Sequence, residues 1–307
     1  MLRFILKRLA IAIPTILLII VLSFMLMHAA PGGPFSNERN LPPEVLANIE
    51  QKYGLDRPLP EQIFVYVSGI ITAFDFGPSF IYKNQSVNDL IGSGFPVTLV
   101  YGFWAFIFAS ISGIALGVIA ALKHNSWIDY AATGTALLGS VLPNFVMAPL
   151  LVLLFTVYLN WLPGGGWEGG KIEFIIMPII ALATSYLAGI TRIMRSSMLE
   201  VLGSDFIRTA RAKGLPAHHI ILRHALKPAL LPVLTSLGLS FVGMITGSVV
   251  IDQFFSTGGI GQHFVNAALN RDYSVIMGVT ILVGSLTIVF NLLVEVLYAW
   301  IDPRIRY

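Results

Sequence analysis

Residues 198–232 read MLEVLGSDFIRTARAKGLPAHHIILRHALKPALLP, and the placement of this stretch decides the fold. It is the longest strongly charged segment in the chain, and apolar runs flank it on both sides. Seven of the nineteen Lys and Arg fall between Arg192 and Lys227, and loops of that sign stay on the cytoplasmic side of a membrane. Good helix formers from Leu199 to Ala212, the break Gly214-Leu215-Pro216 and a second run from Ala217 to Leu226 predict a hairpin of two short helices. Such a hairpin suits docking to a soluble partner.

The remaining composition fits that placement. With 56% hydrophobic and 11% charged residues and a mean hydropathy of +0.79, the 307-residue chain reads as an all-α polytopic membrane protein with one membrane domain. The net charge of +3 comes from basic loops, so it does not point to nucleic acid. The absence of Cys excludes disulfides, thiolate metal sites and S-acylation.

Six spans are expected. The first, Leu9–Met27, follows Arg3, Lys7 and Arg8 and is read as an uncleaved anchor. Residues 1–30 thus form an inner tip and first helix, residues 31–96 an external insert, and residues 97–307 a five-helix core with its cytoplasmic loop at 192–227. The insert carries turns in APGGP and FDFGPSF, a short helix over Glu44–Tyr53, and an apolar piece, Ile63–Phe74, too short to cross and so placed at the interface. It reads as a packed cap over the outer mouth. Val97–Leu122 is the second span, in which Ala109, Gly113, Gly117 and Ala121 make one smooth face for close helix approach. The third begins at Tyr130, with kinks at Pro143 and Pro149. Trp161 and Trp167 suit the headgroup belt. Phe174–Thr191, Pro228–Ile251 and Ser274–Ile301 complete the set, with Ser256–Tyr273 an outer loop. Thirteen of the nineteen basic residues then lie inside, and both termini are cytoplasmic.

Chemistry is sparse. Gly165–Lys171 spells G-x-x-x-x-G-K, but Ile172 stands where Ser or Thr would hold magnesium and no strand precedes it, so nucleotide binding is rejected. No H-E-x-x-H or G-x-S-x-G occurs. His218, His219 and His224 read as solvated or partner-facing rather than as metal ligands. Ser236, Ser240, Gly243 and Gly247 form a small, partly polar stripe that suits either lining a passage or packing a neighbour, with packing favoured. Asp252 and Glu295 are candidate pathway residues as charges within spans, although Glu295 is also placed to pair with a basic residue near the interface. The scarcity of acids and the lack of an inverted repeat disfavour a proton-coupled secondary transporter.

Arg208-Thr209-Ala210, then Gly214, with His224 and Pro228 beyond, resembles the coupling loop of permease subunits of bacterial ATP-binding-cassette importers, whose pattern is E-A-A, three residues, G, nine residues, I-x-L-P. Arg208 stands in the Glu place, His224 in the Ile place, and Pro228 comes one position late. RTARAKGL and RHALKPALLPV look like the peptide and nickel permease branch, while APGGPF, LPPEVLANIEQKYGLDRPL, FDFGPSF, LPGGGW and ALNRDYS resemble the first membrane subunit of oligopeptide permeases. That resemblance implies a type I importer permease fold in a bacterial inner membrane. It implies a second, related permease, two ATPases that bind ATP and Mg, and an external binding protein that delivers peptide. No cofactor is then held by this chain, which is not itself an enzyme. The implied coupling residues are Arg208, Thr209, Ala210, Arg211, Lys213, Gly214, Leu215, Pro216, His224 and Pro228, and a dipeptide, nickel or other small-solute permease is the neighbouring alternative.

Overall fold

The computed structural model describes residues 2–29, 51, 54, 56–82 and 84–301, and those residues form helices and connecting turns with no strand. In chain order they are α1 (Leu2–Ala29), α2 (Leu59–Ala73), α3 (Val87–Leu122), α4 (Trp127–Val141), α5 (Asn144–Val152, continued by a π turn, Leu153–Tyr158), α6 (Ile172–Leu202), α7 (Asp205–Ala212), α8 (Ala217–Thr246, with a π turn over Ile220–Ala225), α9 (Val249–Phe255), α10 (Ile260–Asn270) and α11 (Tyr273–Ile301). Five helices are long and apolar enough to cross a membrane, and the bent pair Trp127–Val141 and Asn144–Tyr158 makes a sixth. The expected helix over Glu44–Tyr53 lies almost wholly outside the described residues.

The long helices pack where side chains are missing. A Cβ on Gly113 would lie 2.8 Å from Ile190, and one on Gly117 2.6 Å from Met194 and 2.7 Å from the Thr191 carbonyl. The small face read in the second span therefore lies against α6, with Ala109 and Ala121 buried beside it. One apolar core joins α3, α6, α8 and the hairpin, and a second joins α1, α2, α10 and the start of α11.

Several boundaries differ from those expected. The second span starts ten residues early, at Val87. Ser86 accepts the Asp89 N–H at 3.1 Å and donates its own N–H to the Asp89 carboxylate at 2.9 Å, a reciprocal cap that nucleates the helix before the apolar run begins and leaves Pro96 inside it. The fourth extends to Leu202, since Arg192 and Arg195 are tolerated in a helix that leaves the bilayer. The fifth ends at Thr246, where Gly247 and Ser248 break it ahead of α9. The presumed outer loop after Ser256 contains α10. Pro143 does mark a break, since α4 and α5 meet at 106° there, whereas Pro149 stays within α5.

The helices are fastened at two poles. The start of α1 and the end of α11 are joined by Arg8 and Glu295 at 2.9 Å, so Glu295 has the basic partner the sequence allowed for. At the opposite pole the FDFGPSF segment is tied to NRDY: the Ser79 hydroxyl donates to the buried Asp272 carboxylate, as do the N–H groups of Phe80 (3.2 Å) and Ile81 (3.3 Å). Trp161 is exposed beside that pole, while Trp167 packs on the first core.

Candidate coupling surface

The charged stretch is one short helix slung between two long ones. Gly203 ends α6 and Ser204 opens α7 in extended backbone, which splits the helix expected over Leu199–Ala212. On the other side α8 runs from Ala217 straight into the fifth span. On its C-terminal side the hairpin is therefore continuous with the span, through the π turn over Ile220–Ala225.

The periodicity of α7 explains its seat. Ile207 and Ala210, three residues apart, are buried together with Ile220 and Ala225 of α8 against Met194 and Met198 of α6. Each buried Ile contributes about 2 kcal/mol. The opposite face is open: Arg208, Thr209, Arg211, Lys213, Gly214 and Pro216 are exposed, Leu215, His224 and Pro228 are half-buried, and Ala210 alone of the implied coupling residues is buried. Arg208 reaches only Asp205, at 3.3 Å, and both are so exposed that the pair adds little to stability. Gly214 has φ +73°, and a Cβ there would meet nothing within 4 Å. Its glycine thus serves the left-handed turn, in which Gly214 N–H donates to Arg211 and Leu215 N–H to Ala210, rather than close packing within the chain.

Two residues on this face escaped the sequence reading. Phe206 is half exposed and Leu222 is 64% exposed, giving a basic surface two apolar projections of the kind that anchor interfaces. The signal was present in α7, because Phe206 lies outside the three-residue spacing of Ile207 and Ala210.

Behind the hairpin lies an ion pair that sequence did not reveal. Asp129, at the start of α4 and fully buried, takes both Arg195 Nε and a terminal nitrogen at 2.7 Å, with the Asn125 N–H at 3.0 Å and His124 Nδ1 at 3.4 Å. This bidentate clamp holds the KHNSWID turn on α6.

The stripe read in the fifth span is divided. Ser240 is buried and its hydroxyl donates to the Ser236 carbonyl at 2.8 Å, Gly243 lies under the Tyr186 hydroxyl, where a Cβ would come within 2.6 Å, and Gly247 is exposed at the end of α8. Asp252 does not share their surface. It is 0% exposed, and its carboxylate faces donors from α3 and α10 rather than an open passage. The near-Walker loop has an equally local purpose: Gly166 N–H donates to the Phe255 carbonyl at 2.7 Å, and a Cβ on Gly165 would meet the same oxygen at 2.5 Å. Among the described residues no group of three or more His, Asp or Glu is placed to hold a metal.

Residues 113–307 match the family of binding-protein-dependent transport system inner membrane components, and residues 1–101 match the N-terminal part of such membrane components. The chain is 59% identical over its full length to the oligopeptide transport system permease protein OppB of Escherichia coli K12, covering all of both proteins. It is 57% identical, again end to end, to that of Haemophilus influenzae. A dipeptide transport system permease protein, DppB of Bacillus subtilis, is 45% identical over all of this chain and 98% of its own length. Inward-facing structures of the MetNI methionine ABC transporter share the fold, with a TM-score of 0.59 at 16% identity over 69% of this chain and 96% of theirs.

Proposed function

Because the chain belongs to the family of binding-protein-dependent transport system inner membrane components, we propose that it is the permease subunit of an ATP-driven importer that passes oligopeptides handed over by an external binding protein. It pairs with a second, related permease to enclose the path, and two ATPase subunits that carry ATP and Mg drive the pair, one of them docked on this chain's hairpin. Both termini and the hairpin face the cytoplasm, and residues 31–96 face outward. The greater identity to oligopeptide than to dipeptide permeases favours the longer cargo.

The observation that carries this reading is the seat of α7. Its apolar side is buried in the core of the spans, while its basic side and Phe206 project, and α8 continues it into a span without a joint. Groove closure in a docked ATPase would therefore turn into displacement of α8, the differential contact that a two-state transporter requires. Ser236, Ser240, Gly243 and Gly247 are assigned to the path on the helix so moved. Asp252 keeps a place at its outer end, but as an enclosed fastening.

The test is copurification of the intact complex, mass spectrometry of the bound solute, and peptide uptake by vesicles containing it. Bound oligopeptides and uptake that requires both ATP and loaded binding protein are expected. Recovery of dipeptides or a metal as the sole cargo, or uptake without ATP, would overturn the reading.

A further inference from the structure

Asp252 carries more hydrogen bonds than any other carboxylate among the described residues. Tyr101 and Thr257 hydroxyls lie 2.5 Å from Oδ1, while the Thr98 hydroxyl (3.1 Å), the Gly261 N–H (3.0 Å) and the Ser248 hydroxyl (3.3 Å) face Oδ2. Thr98 Oγ1 also accepts the Ile260 N–H at 3.0 Å, and Thr257 Oγ1 the Gly259 N–H at 3.2 Å, so both hydroxyl protons are left for the carboxylate.

The N-cap amide and the first two amides of α10 thus converge on one carboxylate, Gly261 directly and Gly259 and Ile260 through a hydroxyl. That is the anion site a helix N-terminus provides, filled by a side chain of the same molecule. Among the described residues Asp252 has no ion-pair partner, and burial pushes the imidazole of neighbouring His263 down, away from a cationic form. The fit leaves no room. A Cβ on Gly261 would come within 2.9 Å of Oδ2, and one on Gly259 would overlap the carboxylate.

We infer that Asp252 is a positioning residue for transport: its carboxylate joins the outer ends of α3, α9 and α10 into one block that stays together while the path opens and closes along the border of that block. The inference rests on the importer reading above. It follows from the completeness of the site, because a joint that parted in each cycle would strand a buried carboxylate and the three donors that reach it from α3 and α10, Thr98, Tyr101 and Gly261.

Two experiments on the reconstituted complex decide it. The chain has no native Cys, and a Cβ on Gly94 of α3 would lie 2.7 Å from the His263 Cδ2 of α10, inside the block and within disulfide reach once the imidazole is removed. With Gly94→Cys and His263→Cys combined, oxidised and reduced complexes should take up peptide at rates within about twofold of each other. A loss of about tenfold on oxidation, restored by reductant, would show that the block parts and overturn the inference. In the second experiment Thr98→Val, which removes both the acceptor for Ile260 and the donor to Asp252, should lower the peptide carried per ATP by about tenfold while stimulated hydrolysis persists, and Thr98→Ser should restore the ratio. An unchanged ratio, with uptake and hydrolysis falling together as the yield of complex falls, would reduce Asp252 to a folding element and refute the proposal. If Thr98→Val cannot be recovered from the membrane, the crosslink decides alone. A wild-type complex that fails to import peptide would count against the importer reading instead.

Discussion

Gly214 offers the sharpest test of how the hairpin works, because its φ of +73° and the open space around its missing side chain separate two explanations that usually travel together. A left-handed conformation costs an ordinary L residue about 1–2 kcal/mol, while Asn and Asp adopt it more readily. If the turn geometry is what matters, Gly214→Ala, at about 1 kcal/mol, should lower the ratio of correctly turned to misturned hairpin by about fivefold, and Gly214→Val, at about 2 kcal/mol, by about thirtyfold. Gly214→Asn should stay within about twofold of the native chain. Gly214→Asp differs from Gly214→Asn only in charge, so the gap between those two isolates an electrostatic conflict at the docked ATPase. The assay is peptide accumulated per ATP hydrolysed in vesicles containing the full complex, with ATPase retention measured on the same preparations. If Gly214→Asn is as damaging as Gly214→Val, bulk at the partner contact governs and the backbone argument is wrong.

Three further outcomes are expected. Arg195→Leu leaves the Asp129 carboxylate buried without its bidentate partner, so the detergent-solubilised chain should lose about 3–5 kcal/mol; exchanging the two residues should recover part of that in a thermal melt, and no recovery would mean that the pair's surroundings dominate. Gly117→Leu forces a side chain into Met194 and the Thr191 carbonyl and should separate α3 from α6 at a cost above the about 1–3 kcal/mol typical of overpacking, read as loss of monodisperse protein. Single cysteines at Ser204 and at exposed Gln85 should react with an impermeant thiol reagent from the inside and the outside respectively; Gln85 is preferable to Ser86, whose side chain caps α3, and labelling of the Ser204 position from outside would invert the topology.

Much of this architecture is written in local sequence. Span number follows from apolar length, the hairpin from its density of Lys and Arg, and the break at Pro143 from a missing N–H. The parts that could not be read are non-local or depend on caps. Val87 begins a helix because Ser86 and Asp89 satisfy each other, a polar device that a search for apolar runs passes over. Gly203 divides the hairpin because α6 leaves the core there, and the sequence around it continues to favour helix. Asp252 looked like a pathway charge because intramembrane acids commonly are. Its donors Thr98 and Tyr101 lie some 150 residues earlier in the chain, at 154 and 151 positions' separation, and no local pattern announces them. Phe206, by contrast, was legible as the apolar residue out of phase with Ile207 and Ala210.

The π turn over Ile220–Ala225 settles a discrepancy of spelling. In the coupling-loop pattern the proline falls thirteen residues after the glycine, whereas Gly214 and Pro228 are fourteen apart. In a strict α-helix the surplus residue would rotate everything beyond it by about 100°, swinging the face of α8 that meets the core toward the membrane. A π turn holds one residue more per turn, as the Leu226 N–H bonded to the Ile221 carbonyl shows, and so takes up the extra length without rotating the rest of the helix. Ile220 and Ala225, five apart, both face the core for this reason. The hairpin end of α8 thus stores one surplus residue while the helix stays continuous and in phase. A one-residue deletion inside 220–225 should leave the span in register, whereas the same deletion one turn further on would misalign it from end to end.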